Sequence, residues 1–389
     1  MTGTAVDRAR AVRTRWHAWR DDRIRSMLRH SVHNRVTGLA RTLLALSTAA
    51  TLLFTPPEHL MYVGPERTSG RLCGGFNGDI GLFCLAPADR MEWARWLAVA
   101  VLLVVASGWR PRWTAIPHWW ISFSVFATSN VMEGGDQVAA ITTLLLVPIC
   151  LTDPRRLHWD RSTAPARSAA AHAVGAITAH LALRLIWAQA CVIYLQASVS
   201  KLGGDEWRDG TTVWYWATSG SFGVPGALDG PVSRLFAQGW AVAGATWGTL
   251  VVEFALAWCL AAGRFPRRVG LVCGLALHAS IAVLLGLPAF SLIMGALLLL
   301  YLVRPEDTPT ARPGTSADAD ADADADAGTG TGTSAGTDAG TSAGTGADAR
   351  IAAEDGGPVP SAGVRPSGAD VSGTSSGYEP LTTHTGRPG

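Results

Sequence analysis

The residues best suited to chemistry lie in one apolar stretch near the middle of the chain. His180, Arg184, Trp187, Cys191, Tyr194, Ser198 and Lys201 follow one another at alternating steps of four and three. That spacing puts all seven on one face of a helix. Polar and ionisable groups inside a long apolar helix do not face lipid. They face a bundle interior or a wet cavity. The stripe is therefore either hydrogen-bonding glue between helices or the wall of a site. Lys201 has the clearest chemistry. It is the single lysine among 32 basic residues, the rest being arginine. A lysine amine in a partly dry site can shed its proton and act as a base, whereas arginine stays charged. The alternative is a lysine that anchors the helix end at headgroup level.

Two more ionisable residues sit mid-way along later apolar segments, Glu253 and His278. At broadly similar depth, Arg184 and Glu253 are expected to neutralise each other as a buried pair. Lining a path, Arg184, Glu253 and His278 would instead suit a transporter. Arg41, about five residues inside the first apolar stretch, reads as an arginine snorkelling to the nearest face. Asp136 opens the fourth stretch, as a solvated turn residue or as a charge at an outer cavity. No CxxC pair and no Cys/His spacing is present, so no metal site is expected.

These residues need helices that cross a membrane to position them. Of 389 residues, 48% are hydrophobic and 16% charged, against about 25% charged in soluble domains. Apolar stretches occupy 36–54, 93–109, 116–132, 137–151, 172–199, 240–262, 269–287 and 289–303. Several approach the roughly 20 residues that a bilayer requires. The fold class is all-α, a polytopic transmembrane bundle of about eight spans. Arginines fall in alternate connections: nine before residue 36, then Arg110 and Arg112, then Arg155, Arg156, Arg161 and Arg167, then Arg264, Arg267 and Arg268. The positive-inside rule puts these connections and both termini in the cytoplasm, with the chain in the plasma membrane. Cys73 and Cys84 then share an outer loop, where a disulfide persists. Residues 200–239, rich in Trp and Gly, read as a short interfacial helix with a re-entrant or surface loop.

Three regions result. Residues 1–35 form a basic cytoplasmic arm, read as an amphipathic surface helix or a solvated segment. Residues 36–304 form the membrane domain. Residues 305–389 form a disordered tail with an Ala-Asp alternation, 13 acidic and 4 basic residues and few large apolar side chains. A soluble regulator or a nucleic-acid binder is excluded, because the basic cluster adjoins a membrane span.

The stretch Ser198-Val-Ser-Lys201-Leu-Gly-Gly-Asp-Glu-Trp207-Arg-Asp-Gly210 resembles a signature of the HTTM membrane domain, shared with vitamin K-dependent gamma-carboxylases. Leu277-His278 through Gly286, with Phe290 to Met294, resembles that family's last helical hairpin. The layout, with cysteines in the first outer loop, looks most like the bacterial sporulation-delaying protein B branch. The resemblance implies a bundle over about 35–304 and makes Lys201 the candidate base. It implies a quinone as cofactor if the chemistry is carboxylase-like. For the sporulation-delaying branch it implies a role in maturing a secreted antibacterial peptide, with the peptide precursor as partner. Lys201, His278 and Glu253 are then the candidate catalytic residues. Arg184, Tyr194 and Trp207 are the candidate substrate contacts.

Overall fold

The computed structural model describes residues 3–60, 73, 79–129, 134–160, 168–219 and 223–307. The acidic tail beyond residue 307, and Arg161 and Arg167, lie outside the described residues. Helix α1 spans Gly3–Arg29 and α2 spans Arg35–Phe54. Asn34 starts α2 by accepting the Thr37 N–H at 2.9 Å, as capping residues do. Two short helices, α3 (Pro57–Leu60) and α4 (Leu82–Leu85), precede α5 (Met91–Ala106), α6 (Pro111–Thr128), α7 (Gly134–Leu151) and α8 (Ala169–Lys201). Three short helices follow: α9 (Asp205–Arg208), α10 (Thr212–Ala217) and α11 (Gly226–Phe236). The last long helices of the described residues are α12 (Gly239–Trp258), α13 (Arg264–Leu284) and α14 (Pro288–Leu302).

This is a helical membrane bundle. Helices α2, α7, α8, α12 and α13 are long and apolar enough to cross a membrane, and α14 is a shorter apolar helix. With α5 and α6 they are the helices expected at the eight apolar stretches. Helix α6 begins earlier than hydropathy suggests, because Pro111 suits the first helical turn. Asp136 is buried in the first turn of α7 rather than solvated. A carboxylate there complements the positive end of the helix. Helix α14 is apolar all round and sits against α2, α7, α8 and α13. Its Ile293, Leu297, Leu298 and Tyr301 are almost fully buried in the main core beside Leu44, Ile149 and Ile186. Trp247 and Val251 on α12 and Val272 on α13 instead project outward. Apolar side chains face outward because the surrounding solvent is lipid.

Arg41 does not snorkel. It is 1% exposed and ties three segments together. Its Nη2 donates to Thr114 Oγ1 on α6 at 2.5 Å, and its Nη1 reaches the Val105 carbonyl at 3.4 Å. The same Nη1 lies 3.3 Å from His158 Nδ1 in the connection after α7. Arginine only donates, so His158 Nδ1 accepts and its Nε2–H points to Thr42 Oγ1, 3.3 Å away. Burial first, then the charges of Arg41 and Arg155, push the His158 pKa down to about 3. Asp153 and Arg155 close the same connection through a buried ion pair at 2.8 Å.

The first half of the polar stripe on α8 works as glue. His180 Nε2 meets the carbonyls of Met27 and His30 at 3.1 and 2.7 Å, which fastens the end of α1. Trp187 donates to the Leu300 carbonyl at 2.9 Å, and the Arg304 guanidinium lies 4.6 Å from its ring centroid. The basic arm is helical, with Trp16 and Trp19 stacked at 5.1 Å on its exposed side.

Asp307 latches the last hairpin. Its carboxylate bonds Arg267 at 2.6 Å and Arg264 at 3.2 Å. Burial alone would raise its pKa, but the hydrogen bond and charge of Arg267 outweigh that and hold it below the usual carboxylate range. Its contribution is therefore complete above the unfolded carboxyl value and is lost as pH falls through the folded one. Truncation after residue 308 is expected to leave the thermal midpoint in detergent unchanged. Asp307→Asn should lower stability by about 1 kcal/mol at pH 7. Equal midpoints for wild type and Asp307→Asn at pH 7 would rule the latch out.

Candidate functional site

The second half of the stripe forms a site with α12 and α13. The register between α8 and α12 is set by Cys191, whose thiol lies 3.3 Å from the Ala257 carbonyl. The helices are antiparallel, so Glu253 points toward the Lys201 end of α8. There the Lys201 ammonium donates to Glu253 Oε1 as a salt bridge. The Trp207 ring centroid lies 5.2 Å from Lys201 Nζ, which adds a cation–π contact. About two turns inward along α8, Tyr194 Oη and His278 Nε2 are hydrogen-bonded at 3.0 Å. The Glu253 charge acts on Tyr194, and the Lys201 charge acts on His278. Glu253 is 7% exposed and His278 4%. Even so, Glu253 Oε2 and His278 Nδ1 have no hydrogen-bond partner among the described residues. Buried polar atoms in a native fold are paired as a rule, and exceptions mark sites of ligand or chemistry.

Lys201, Trp207 and Glu253 line a cavity of about 760 Å³ between α12 and α13. Its walls are otherwise mostly apolar, with Thr249 and Ser280 the hydroxyl-bearing exceptions. Helices α9, α10 and α11 cover one end, where Ala217, Phe236 and Val242 form a small core. The expected short interfacial helix is thus three helices, and Trp216 on α10 also faces the cavity. The Val213 N–H donates to Thr246 Oγ1 on α12 at 3.3 Å. Gly210, at φ +76°, lets the chain turn beside the Trp247 ring.

Lys201, Glu253, Tyr194, His278 and Trp207 are therefore brought together. Arg184 is not: it is exposed, and the expected Arg184–Glu253 pair does not form. Two geometric facts explain this. At 100° per residue, Arg184 and Lys201 fall about 100° apart around α8. The Cys191–Ala257 contact also leaves Arg184 roughly 16 Å from Glu253 along the helix axes. A path through Arg184, Glu253 and His278 is broken at its first member. Ser198 bonds only the Tyr194 and Leu195 carbonyls of its own helix. Cys73 and Cys84 are joined as a disulfide with Cα atoms 5.5 Å apart. Among the described residues no His, Cys, Asp and Glu cluster that could hold a metal is present. Sequence reasoning missed the cavity itself, although Gly244 and Gly248, four apart on α12, were a signal for it.

Two relatives from Bacillus subtilis (strain 168) place the chain. It is 30% identical over 266 residues to the sporulation-delaying protein SdpB, covering 68% of this chain and 80% of that protein. The chain belongs to the SdpB family. It is also 38% identical over 275 residues to the uncharacterized protein YitO, covering 70% of this chain and 86% of YitO. No family model and no solved structure matches the sequence.

Proposed function

We propose that this SdpB-family chain supports production of a secreted antibacterial peptide, acting on the precursor from the plasma membrane. The arginine-rich connections and both termini face the cytoplasm on this reading, and the Lys201 cluster lies toward the outer half. The observation that carries the reading is the Lys201–Glu253 pair at the cavity, with one Glu253 oxygen left without a partner. Transfer of a proton from the Lys201 ammonium to Glu253 leaves a neutral amine beside a carboxylic acid. The amine then takes a proton from an acidic group of the precursor and the carboxylic acid gives one back to the precursor, so the pair shuttles protons and returns to its starting state. Tyr194 and His278 hold the inner side of the cluster in place.

A carboxylase-like reading keeps Lys201 as the base and rests on the motif from Ser198 to Gly210. Its support is the apolar cavity, where Trp207 and Trp216 offer ring faces and Lys201 a donor to a quinone oxygen. A quinone in the lipid extract of purified protein would favour it.

Glu253→Gln tests the acid–base pair. The amide oxygen still accepts from Lys201, so membrane abundance should match wild type. The amide takes up no proton, so secreted killing activity from a complemented deletion strain should fall about a hundredfold. Full killing with Glu253→Gln would remove the proposed chemistry.

A further inference from the structure

The membrane helices carry two pairs of glycines four residues apart, and only one pair is filled. On α13, Gly270 and Gly274 let helices approach closely. A Cβ at Gly270 would lie 2.9 Å from Sγ of Cys259, which caps the C-terminus of α12, and one at Gly274 would lie 2.8 Å from Leu298 on α14. At that end α12, α13 and α14 are locked together. On α12, a Cβ at Gly244 or Gly248 would meet nothing within 4 Å among the described residues. Both line the cavity, with Ala241 and Ala245 on the same face. Helices α12 and α13 therefore part toward the end covered by α10 and α11, leaving a wedge. At its inner end sits Glu253, 93% buried by its 7% exposure, with Oε2 unpartnered.

We infer that this wedge is the docking groove for one apolar peptide helix. Its identity as the secreted precursor rests on the function proposed above. Three features select a helix. The small-residue face from Ala241 to Val252 runs about 16 Å, or three helical turns. A flat glycine face gains contact only when another backbone comes close to it, which a helix does and a flexible acyl chain does not need. The unpartnered Glu253 oxygen accepts from a neutral donor, such as a hydroxyl or a freed backbone N–H, and repels a phosphate headgroup. The outward-facing Trp247 and Val251 flank the groove, so a membrane-inserted peptide enters sideways.

The test uses the full chain in phospholipid nanodiscs, with p-benzoylphenylalanine in place of Leu277, which lines the cavity. The probe is a synthetic Leu/Ala helix of about 20 residues with Trp flanks. After illumination, mass spectrometry identifies what the benzophenone has captured. The expected result is a peptide adduct that falls about tenfold in Gly248→Leu, because the new side chain occupies the groove. A Cβ at Gly248 meets nothing within 4 Å among the described residues, so the Leu side chain starts in open space. Gly244→Leu is the second variant, and thermal midpoints matching wild type show that both fold. An adduct with phospholipid alone overturns the inference, as does a peptide adduct of equal yield in wild type and both variants. This readout needs no secreted activity. Its failure is therefore separate from failure of the maturation reading, which the Glu253→Gln killing assay decides.

Discussion

Lys201→Arg is expected to leave the protein abundant in the membrane and to reduce secreted killing activity about a hundredfold or more. The charge is retained, so the attraction to Glu253 and the ring contact with Trp207 survive in part. Two things are lost. A planar guanidinium is longer and does not occupy the place of a compact ammonium between Glu253 and Trp207. It also does not release a proton to Glu253, so no neutral base forms. Lys201→Ala should be worse for abundance as well, because Glu253 is then a buried carboxylate without its cation. Removing one partner of a buried pair costs about 3–5 kcal/mol. The double variant Lys201→Ala/Glu253→Ala should regain abundance but not activity. Full activity of Lys201→Arg would reduce the residue to an anchor, since every other basic position in this chain is an arginine.

The second large effect concerns folding. Arg41→Leu should cost about 3 kcal/mol, because the Val105 carbonyl, Thr114 and His158 all lose a buried donor. The same network gives stability a pH dependence of defined sign. His158 is neutral in the fold down to about pH 3, whereas in the unfolded chain it takes up a proton near pH 6.5. Between those values the unfolded state binds more protons, so stability rises with pH. It is complete above about 6.5 and is lost progressively as the pH falls toward 3. Going from pH 7 to pH 5 should cost about 2 kcal/mol through this histidine. The check is the thermal midpoint of the purified protein in detergent at the two pH values. His158→Asn removes the titrating group, so its midpoint should fall less on acidification. Equal pH sensitivity of wild type and His158→Asn would show that the histidine is not the cause.

The sequence by itself determined the class of this protein and the composition of its site. Hydrophobic runs near the length of a bilayer dictate helices, since in lipid the backbone must satisfy its own hydrogen bonds. That logic is local, and the eight long apolar helices fall on the apolar stretches read from the sequence, whereas the long helix α1 lies on the basic arm. The one lysine, its Trp207 neighbour and the ionisable residues inside apolar segments were also legible, because a polar group in a membrane helix needs a reason to be there. Partners were not legible. Which cation meets Glu253 depends on the register between α8 and α12, and a contact such as Cys191 with Ala257 sets it from 66 residues away. A drift of 100° around one helix separates Arg184 from Lys201, and only the packed bundle shows which of them turns inward. Arg41 illustrates the same limit. Its depth in the sequence allows either a snorkel or a buried tie, and the choice falls to Thr114 and His158, which only folding brings alongside. The wedge was beyond the sequence for the same reason. Glycine pairs on α12 and α13 look alike as letters, but one pair is filled by Cys259 and Leu298 and the other is left open.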